Sequence, residues 1–206
     1  MLKRFKILFF SIVVLSYIEH LSAEITVNEL VLNTEKPFHI KILEALPKQA
    51  KIVYGPVDAK NTIIEFMDYL CGYCKKIHPE LLKIVDERND VRVFFIQHPI
   101  LSENSKVLSR YVLAANLQNK GFDLHDSILS ISGGITQKKI EKSMDKIGIN
   151  KVQLNIDIGR PDINNMIQLS TFLANGAGAR GTPTLFINEE FIGGFIQKQQ
   201  IISLLK

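Results

Sequence analysis

Cys71-Gly72-Tyr73-Cys74 is the stretch of this chain whose residue types and spacing can do chemistry. Two thiols set two residues apart can close a small disulfide ring, reopen it and pass electrons in pairs. They are the only cysteines in 206 residues, so there is no wider disulfide framework for them to join. A bridge between such close neighbours would remove little entropy from the unfolded chain, because that stabilisation grows with the length of the closed loop. The pair therefore reads as a reactive centre and not as a staple.

Reactivity needs a thiolate, and the element that follows should favour one. Residues 72–88 read as a helix, with Ile77, Leu81, Leu82, Ile84 and Val85 on one side. Cys71 then falls at its first turn, where unpaired backbone N–H groups and the positive end of the helix dipole favour an anion. Cys74 lies one turn further in and is expected to be more buried. It is placed to resolve the mixed disulfide formed when Cys71 attacks.

The flanking segments have the pattern of an α/β core. Residues 51–54 are a short strand candidate, followed by the turn-like Gly55-Pro56. Residues 62–67 (TIIEFM) and 91–97 (VRVFFIQ) are near-continuous apolar runs, as expected of buried strands. Strand, helix and strand in that order make a βαβ unit with parallel strands. A helical block follows. Val107, Leu108, Tyr111, Val112 and Ala115 mark one face, and Leu124, Ile128 and Leu129 a short second one. Thr136 can cap a third helix that carries Ile140, Met144 and Ile147 and stops at Gly148. Pro161 can open a fourth, with Ile163, Met166, Ile167, Ser170 and Leu173 inward and Gly176 at its end. A strand over 184–188, a turn at Glu189-Glu190, a partner strand over 191–194 and a helix over 196–205 close the chain.

The start of the chain reads as a signal peptide over residues 1–23. Lys3, Arg4 and Lys6 precede an apolar run over 7–18, and Leu21-Ser22-Ala23 offers a small residue for cleavage. Twelve residues span about 18 Å as a helix, well short of a bilayer's hydrocarbon core. The protein is thus expected to be exported and soluble, in an oxidising compartment that presses a thiol pair toward disulfide. Its formal charge of +4 falls to +2 when three basic residues and Glu19 leave with that segment. There is no basic stripe interleaved with aromatics, and no nucleic-acid partner is expected. Residues 24–50 contain Leu30, Val31, Ile40, Ile42 and Leu43, with Pro37 and Pro47 as breakers. They read either as a strand and short helix packed on the domain or as an arm for self-association.

A metal site is the competing chemistry. Cys71, Cys74 and His78 share one helix face, and His98 or His125 would have to complete the set. But Pro79 follows His78 directly, and no second Cys/His cluster has ligand spacing, so no metal is expected. A lone helical histidine is read as solvated or as capping a neighbour. Lys75 stands where a c-type haem motif needs histidine.

The run Glu65-Phe66-Met67-Asp68-Tyr69-Leu70-Cys71-Gly72-Tyr73-Cys74-Lys75 resembles the active-site segment of the thioredoxin fold. Pro79 matches the proline that kinks that helix. Arg180-Gly181-Thr182-Pro183-Thr184-Leu185 resembles the loop that carries the active-site cis-proline. The two motifs stand too far apart for thioredoxin itself. A helical insertion between them, here about 101–178, is similar to the DsbA-like branch of thiol:disulfide oxidoreductases. The implied fold is α/β: a thioredoxin-like domain over 51–206, with the insertion between its βαβ and ββα halves.

The resemblance implies further roles. Cys71 attacks and Cys74 resolves. Pro183 is cis and exposes the backbone before it to an extended substrate, and Thr182 faces the Cys71 sulfur. Glu65 is a buried acid beneath Cys74 with a raised pKa, moving protons during exchange; its bland alternative is an outward residue at a sheet edge. The resemblance implies no cofactor. It implies folding extracytoplasmic proteins as substrates and a membrane redox partner of the DsbB or DsbD kind. The Gly72-Tyr73 pair with Thr182 is also similar to disulfide isomerases of the DsbC type. Those associate through an added N-terminal region, for which residues 24–50 are short, so oxidation ranks ahead of isomerisation. A redox-inert binding protein on the same fold is the reading from a different class.

Overall fold

The computed structural model describes residues 36–206; the expected signal segment over 1–23, together with Leu30 and Val31, lies outside the described residues. The chain runs through α1 (Phe38–Ala45), a 3-10 turn (Lys48–Ala50), β1 (Lys51–Tyr54), β2 (Asn61–Met67), α2 (Gly72–Glu87) and β3 (Val91–Gln97). A helical block of α3 (Glu103–Leu117), α4 (Gly121–Leu129), α5 (Gln137–Ile147), α6 (Lys151–Asp157) and α7 (Pro161–Gly176) follows. It closes with β4 (Thr184–Ile187), β5 (Glu190–Gly193) and α8 (Lys198–Ser203). Among the described residues no helix is long and apolar enough to cross a membrane.

The apolar run of β2 is at the centre of the sheet because both of its faces are covered. The strand order is β1-β3-β2-β4-β5. β2 and β3 are parallel and joined through α2, as the βαβ pattern requires. β4 pairs antiparallel with the other side of β2, β5 antiparallel with β4, and β1 antiparallel with the outer side of β3. The βαβ and ββα halves therefore share one sheet, and the helical block packs beside them. Ile63, Ile64, Phe66, Ile77, Leu81, Phe95 and Leu185 are buried in one core with Leu113, Ile128 and Ile163 of the helical block.

Local signals place the helix ends. The hydroxyls of Ser102 and Thr136 and the amide oxygen of Asn150 accept the N–H of Ser105, Lys139 and Gln153. Gly148 ends α5 at φ 72°, a left-handed turn that glycine adopts without strain.

Several expectations are corrected. α6 was not expected: its only apolar residue in the core is Leu154, too weak a stripe to show as helical periodicity. Val107 is exposed, and Ser105 and Ser109 take the inward positions on α3 instead. Pro37 and Pro47 precede α1 and the 3-10 turn and so start elements rather than break them. β4 ends at Ile187 because Asn188 turns the chain at φ 53°. α8 is shorter than expected, opening at the Gln197 and Gln200 capping box. In the described part of the 24–50 stretch, His39, Ile42, Leu46 and Ala50 are buried against the domain.

Candidate active site

α2 begins where the chain leaves β2, and Cys71 is its N-cap. The Cys71 N–H donates to the Asp68 carbonyl at 3.0 Å, and its own carbonyl accepts the Lys75 N–H at 3.1 Å. Asp68 is buried and holds the turn: its two carboxylate oxygens accept the N–H groups of Leu70 (2.8 Å) and Leu101 (3.0 Å). This ties the β2–α2 loop to the loop after β3. Sequence reasoning did not single out Asp68; a short acid directly after a strand is the signal that would have found it.

Cys71 is 8% exposed and Cys74 fully buried, both as free thiols. From the far half of the chain comes the loop before β4, where the Thr182–Pro183 bond is cis. It brings the Thr182 carbonyl to 3.0 Å from the Cys71 Sγ. That oxygen accepts from the protonated thiol. Once the thiol ionises, the Thr182 hydroxyl, which is buried with no partner, is the donor on hand.

Electrostatics split the pair. The Cys71 thiol is pulled down to about 5, first by the hydrogen bond from the Cys74 thiol, against the cost of its burial. The Thr182 side chain and the N–H groups of Cys74 and Tyr73 add to the effect. Cys74 is pushed strongly up, by burial first and then by its hydrogen bond to Cys71 and the charge of Glu65. One sulfur is thus an anion at neutral pH and the other a protonated thiol.

Glu65 is completely buried in the central strand, with Phe95 and Leu185 as its neighbours across the sheet. This excludes the outward, edge-of-sheet alternative. Neither carboxylate oxygen has a hydrogen-bond partner among the described residues. Burial pushes its pKa up to about 8, with the Cys74 thiol pulling down and the Cys71 charge pushing further up. The structure therefore brings Glu65, Cys71, Cys74, Thr182 and Pro183 to one place.

The rim is apolar. Leu70 and Leu101 are exposed beside Asp68, and Tyr73 is 60% exposed with its ring 5.8 Å from Phe195. The Lys76 ammonium sits 4.6 Å over that Phe195 ring. Lys75 reaches the Ile131 carbonyl at the end of α4 and so joins α2 to the helical block.

Of the two expectations for a helical histidine, solvated or bonded to a neighbour, His78 and His125 meet the second. His78 is buried and its Nε2 pairs with Asp126 of α4 at 2.9 Å. His125 is buried with Nδ1 2.9 Å from the Tyr69 hydroxyl, its ring 4.9 Å from that of His78. Burial holds His125 well below its usual pKa. Helical spacing shows which face these residues occupy but not that a helix 48 residues away covers it. Among the described residues no three His, Cys, Asp or Glu side chains form a metal-ligand set.

An acidic thiol at a helix mouth beside Pro183, above a buried carboxylate on a sheet of this order, defines the class of DsbA-like proteins of the thioredoxin fold. The chain belongs to the thioredoxin family, whose model, described as Thioredoxin, matches residues 47–206. It is similar to a thioredoxin-like oxidoreductase from Silicibacter pomeroyi DSS-3, with 28% identity and a TM-score of 0.72 over 78% of this chain and 94% of that one. The catalytic domain of ScsC from Proteus mirabilis shows 26% identity and a TM-score of 0.71 over 81% and 93%. Disulfide bond formation protein D of Bacillus subtilis (strain 168) is 23% identical over 163 residues, 72% of each chain. The Na(+)/H(+) antiporter NhaA 1 of Salinispora arenicola (strain CNS-205) is 23% identical over 145 residues, 66% of this chain. The chain spans 21% of that antiporter's length.

Proposed function

We propose that this protein is an exported thiol–disulfide oxidoreductase that forms or rearranges disulfide bonds in folding extracytoplasmic proteins through Cys71 and Cys74. The observation that carries the reading is the split of the pair: Cys71 at the N-cap of α2, 8% exposed and with its thiol pulled down to about 5, next to a fully buried Cys74 whose thiol is pushed up.

The steps follow from that split. The Cys71 thiolate attacks a substrate disulfide; a mixed disulfide forms and one substrate thiolate leaves. Glu65, with a pKa near the working pH, takes the proton from Cys74. The Cys74 thiolate then attacks the Cys71 sulfur, a Cys71–Cys74 disulfide forms, and the second substrate thiolate leaves. Two electrons pass from the pair to the substrate. Run in reverse, with Glu65 returning the proton, the same steps oxidise a substrate dithiol. Thr182 and Pro183 line the approach to Cys71 and present backbone to an extended substrate segment. The exposed Leu70, Tyr73 and Leu101 offer apolar contact to an unfolded chain.

The apolar segment over 7–18 and the small residues before residue 24 support export. A pair that cycles needs a redox partner at the membrane, of the DsbB or DsbD kind. Cys71→Ser is expected to abolish both insulin reduction and refolding of a scrambled-disulfide substrate. Full activity in that variant would overturn the function.

A further inference from the structure

The polar groups of Asp68, in the turn before Cys71, are all engaged around the thiol pair. Its two carboxylate oxygens accept the Leu70 and Leu101 N–H groups at 2.8 and 3.0 Å. Its carbonyl accepts the Cys71 N–H at 3.0 Å. The Met67–Asp68 peptide is planar and trans, so its oxygen and its N–H point in opposite directions. The Met67 oxygen accepts the N–H of His98, the residue after β3, at 2.8 Å. The Asp68 N–H is thereby turned away from β3, and it acts on the Cys74 sulfur.

This N–H stands apart from the other influences on Cys74. Burial, the Cys71 thiol and the charge of Glu65 all oppose a Cys74 thiolate, and the Asp68 N–H favours it. An anion on a fully buried sulfur needs such a donor. The resolving step requires that anion. Cys74 gives its proton to Glu65, the Cys74 thiolate bonds to the Cys71 Sγ, the bond from Cys71 to the substrate sulfur breaks, and the substrate thiolate leaves with the electron pair. The first attack draws on different groups: the Cys71 anion is favoured by the Cys74 thiol, the Thr182 side chain and the N–H groups of Cys74 and Tyr73. The two halves of the exchange therefore depend on different donors.

We propose that Asp68 is a positioning residue for the resolving step: its buried carboxylate, fixed by the Leu70 and Leu101 N–H groups, holds its own N–H on the Cys74 sulfur as that sulfur ionises. The inference rests on the reading of Cys71 as the attacking thiol and Cys74 as the resolving one. Leu70 and Leu101 are exposed at the rim, so the same carboxylate ties the surface that meets an unfolded chain to the sulfur that releases it.

The test mixes the reduced full chain with excess hydroxyethyl disulfide, a neutral probe. Acid quenching and mass spectrometry then count the reduced, mixed-disulfide and Cys71–Cys74 forms over time. In Asp68→Asn the one amide oxygen can replace only one carboxylate oxygen, and the amide NH2 faces the other N–H. Resolution should slow by roughly tenfold or more, the loss expected of a hydrogen bond to a charged group, so that the mixed disulfide accumulates. Attack by Cys71, measured alone in Cys74→Ser with and without Asp68→Asn, should slow far less. Removing a negative charge beside a sulfur that must ionise would by itself speed resolution, so the sign of the change separates position from charge. Asp68→Ala should slow resolution further, and Asp68→Asn keeps the test open if the alanine variant does not fold. Resolution at the parent rate in Asp68→Asn, or an equal slowing of both steps, overturns the proposal alone. A parent chain that hydroxyethyl disulfide does not oxidise overturns the oxidoreductase function, and the proposal with it.

Discussion

The carbonyl oxygen of Thr182 lies 3.0 Å from the Sγ of Cys71, although 111 positions separate the two residues in the chain. The contact joins the helix that follows β2 to the loop that enters β4, and β2 and β4 are neighbours in the sheet. The pairing of Glu65 with Leu185 and of Phe66 with Thr184 fixes how far that loop extends toward α2. Sheet register, more than any local feature of the CxxC segment, decides what the reactive sulfur touches.

Cys71 should alkylate with iodoacetamide as a group whose pKa is near 5, while Cys74 stays unreactive in the folded protein. The same shift makes reduced-state stability depend on pH. The folded pKa lies below that of an unfolded cysteine, roughly 8.5, so the stabilisation is full above that value and is lost as pH falls through 5. Urea unfolding of the reduced protein between pH 4 and 9 should show this rise, and Cys71→Ser should lack it. A midpoint for alkylation near the free-cysteine value would contradict the arrangement described.

Thr182→Val tests the hydroxyl that has no partner. It keeps the backbone carbonyl but removes the donor available to the thiolate. A hydrogen bond to a charged group is worth about 1.5–3 kcal/mol, so the Cys71 pKa should rise by roughly one unit or more. The thiolate absorbance at 240 nm, followed against pH, measures it.

Glu65→Leu should separate stability from activity. The Glu65 pKa is raised in the folded state, so its ionisation costs stability as pH rises from 4.5 to about 8. The leucine variant should therefore be more stable than the parent above pH 8. Its exchange should be slower, on the order of a hundredfold if proton transfer to and from Cys74 limits the rate. Thermal unfolding at pH 8.5 and insulin reduction give the two readouts, and a variant equally fast at pH 7 would remove Glu65 from the mechanism.

His78→Ala should loosen the seam between α2 and the helical block. It deletes a buried ring and the 2.9 Å contact with Asp126. The expected loss is about 2–4 kcal/mol in denaturant unfolding. Asp126→Asn, which can still hydrogen-bond His78, should cost less.

How much of this was legible depends on the range of the interaction. Thr136 and Gly148 bound α5 and Pro161 opens α7 because caps and fixed dihedrals act within one turn. The buried runs of β2 and β3 announced themselves as apolar stretches. α6 stayed hidden because its seven residues place only one apolar side chain in the core. Ser105 and Ser109 misled the reading of α3, since polar residues on an inward face break the periodicity from which that face is inferred.

The chemical identity of the site was written in the order of residues. Two thiols with two residues between them at a helix start, and one acid inside an apolar strand, need no neighbours to be recognised. Tertiary structure alone decided that Glu65 has Phe95 and Leu185 as its neighbours across the sheet, that the Thr182 carbonyl is the group 3.0 Å from the Cys71 sulfur, and that Asp126 meets His78. The physical reason is that capping and periodicity act over a few residues, whereas burial and charge depend on groups that only chain folding brings together.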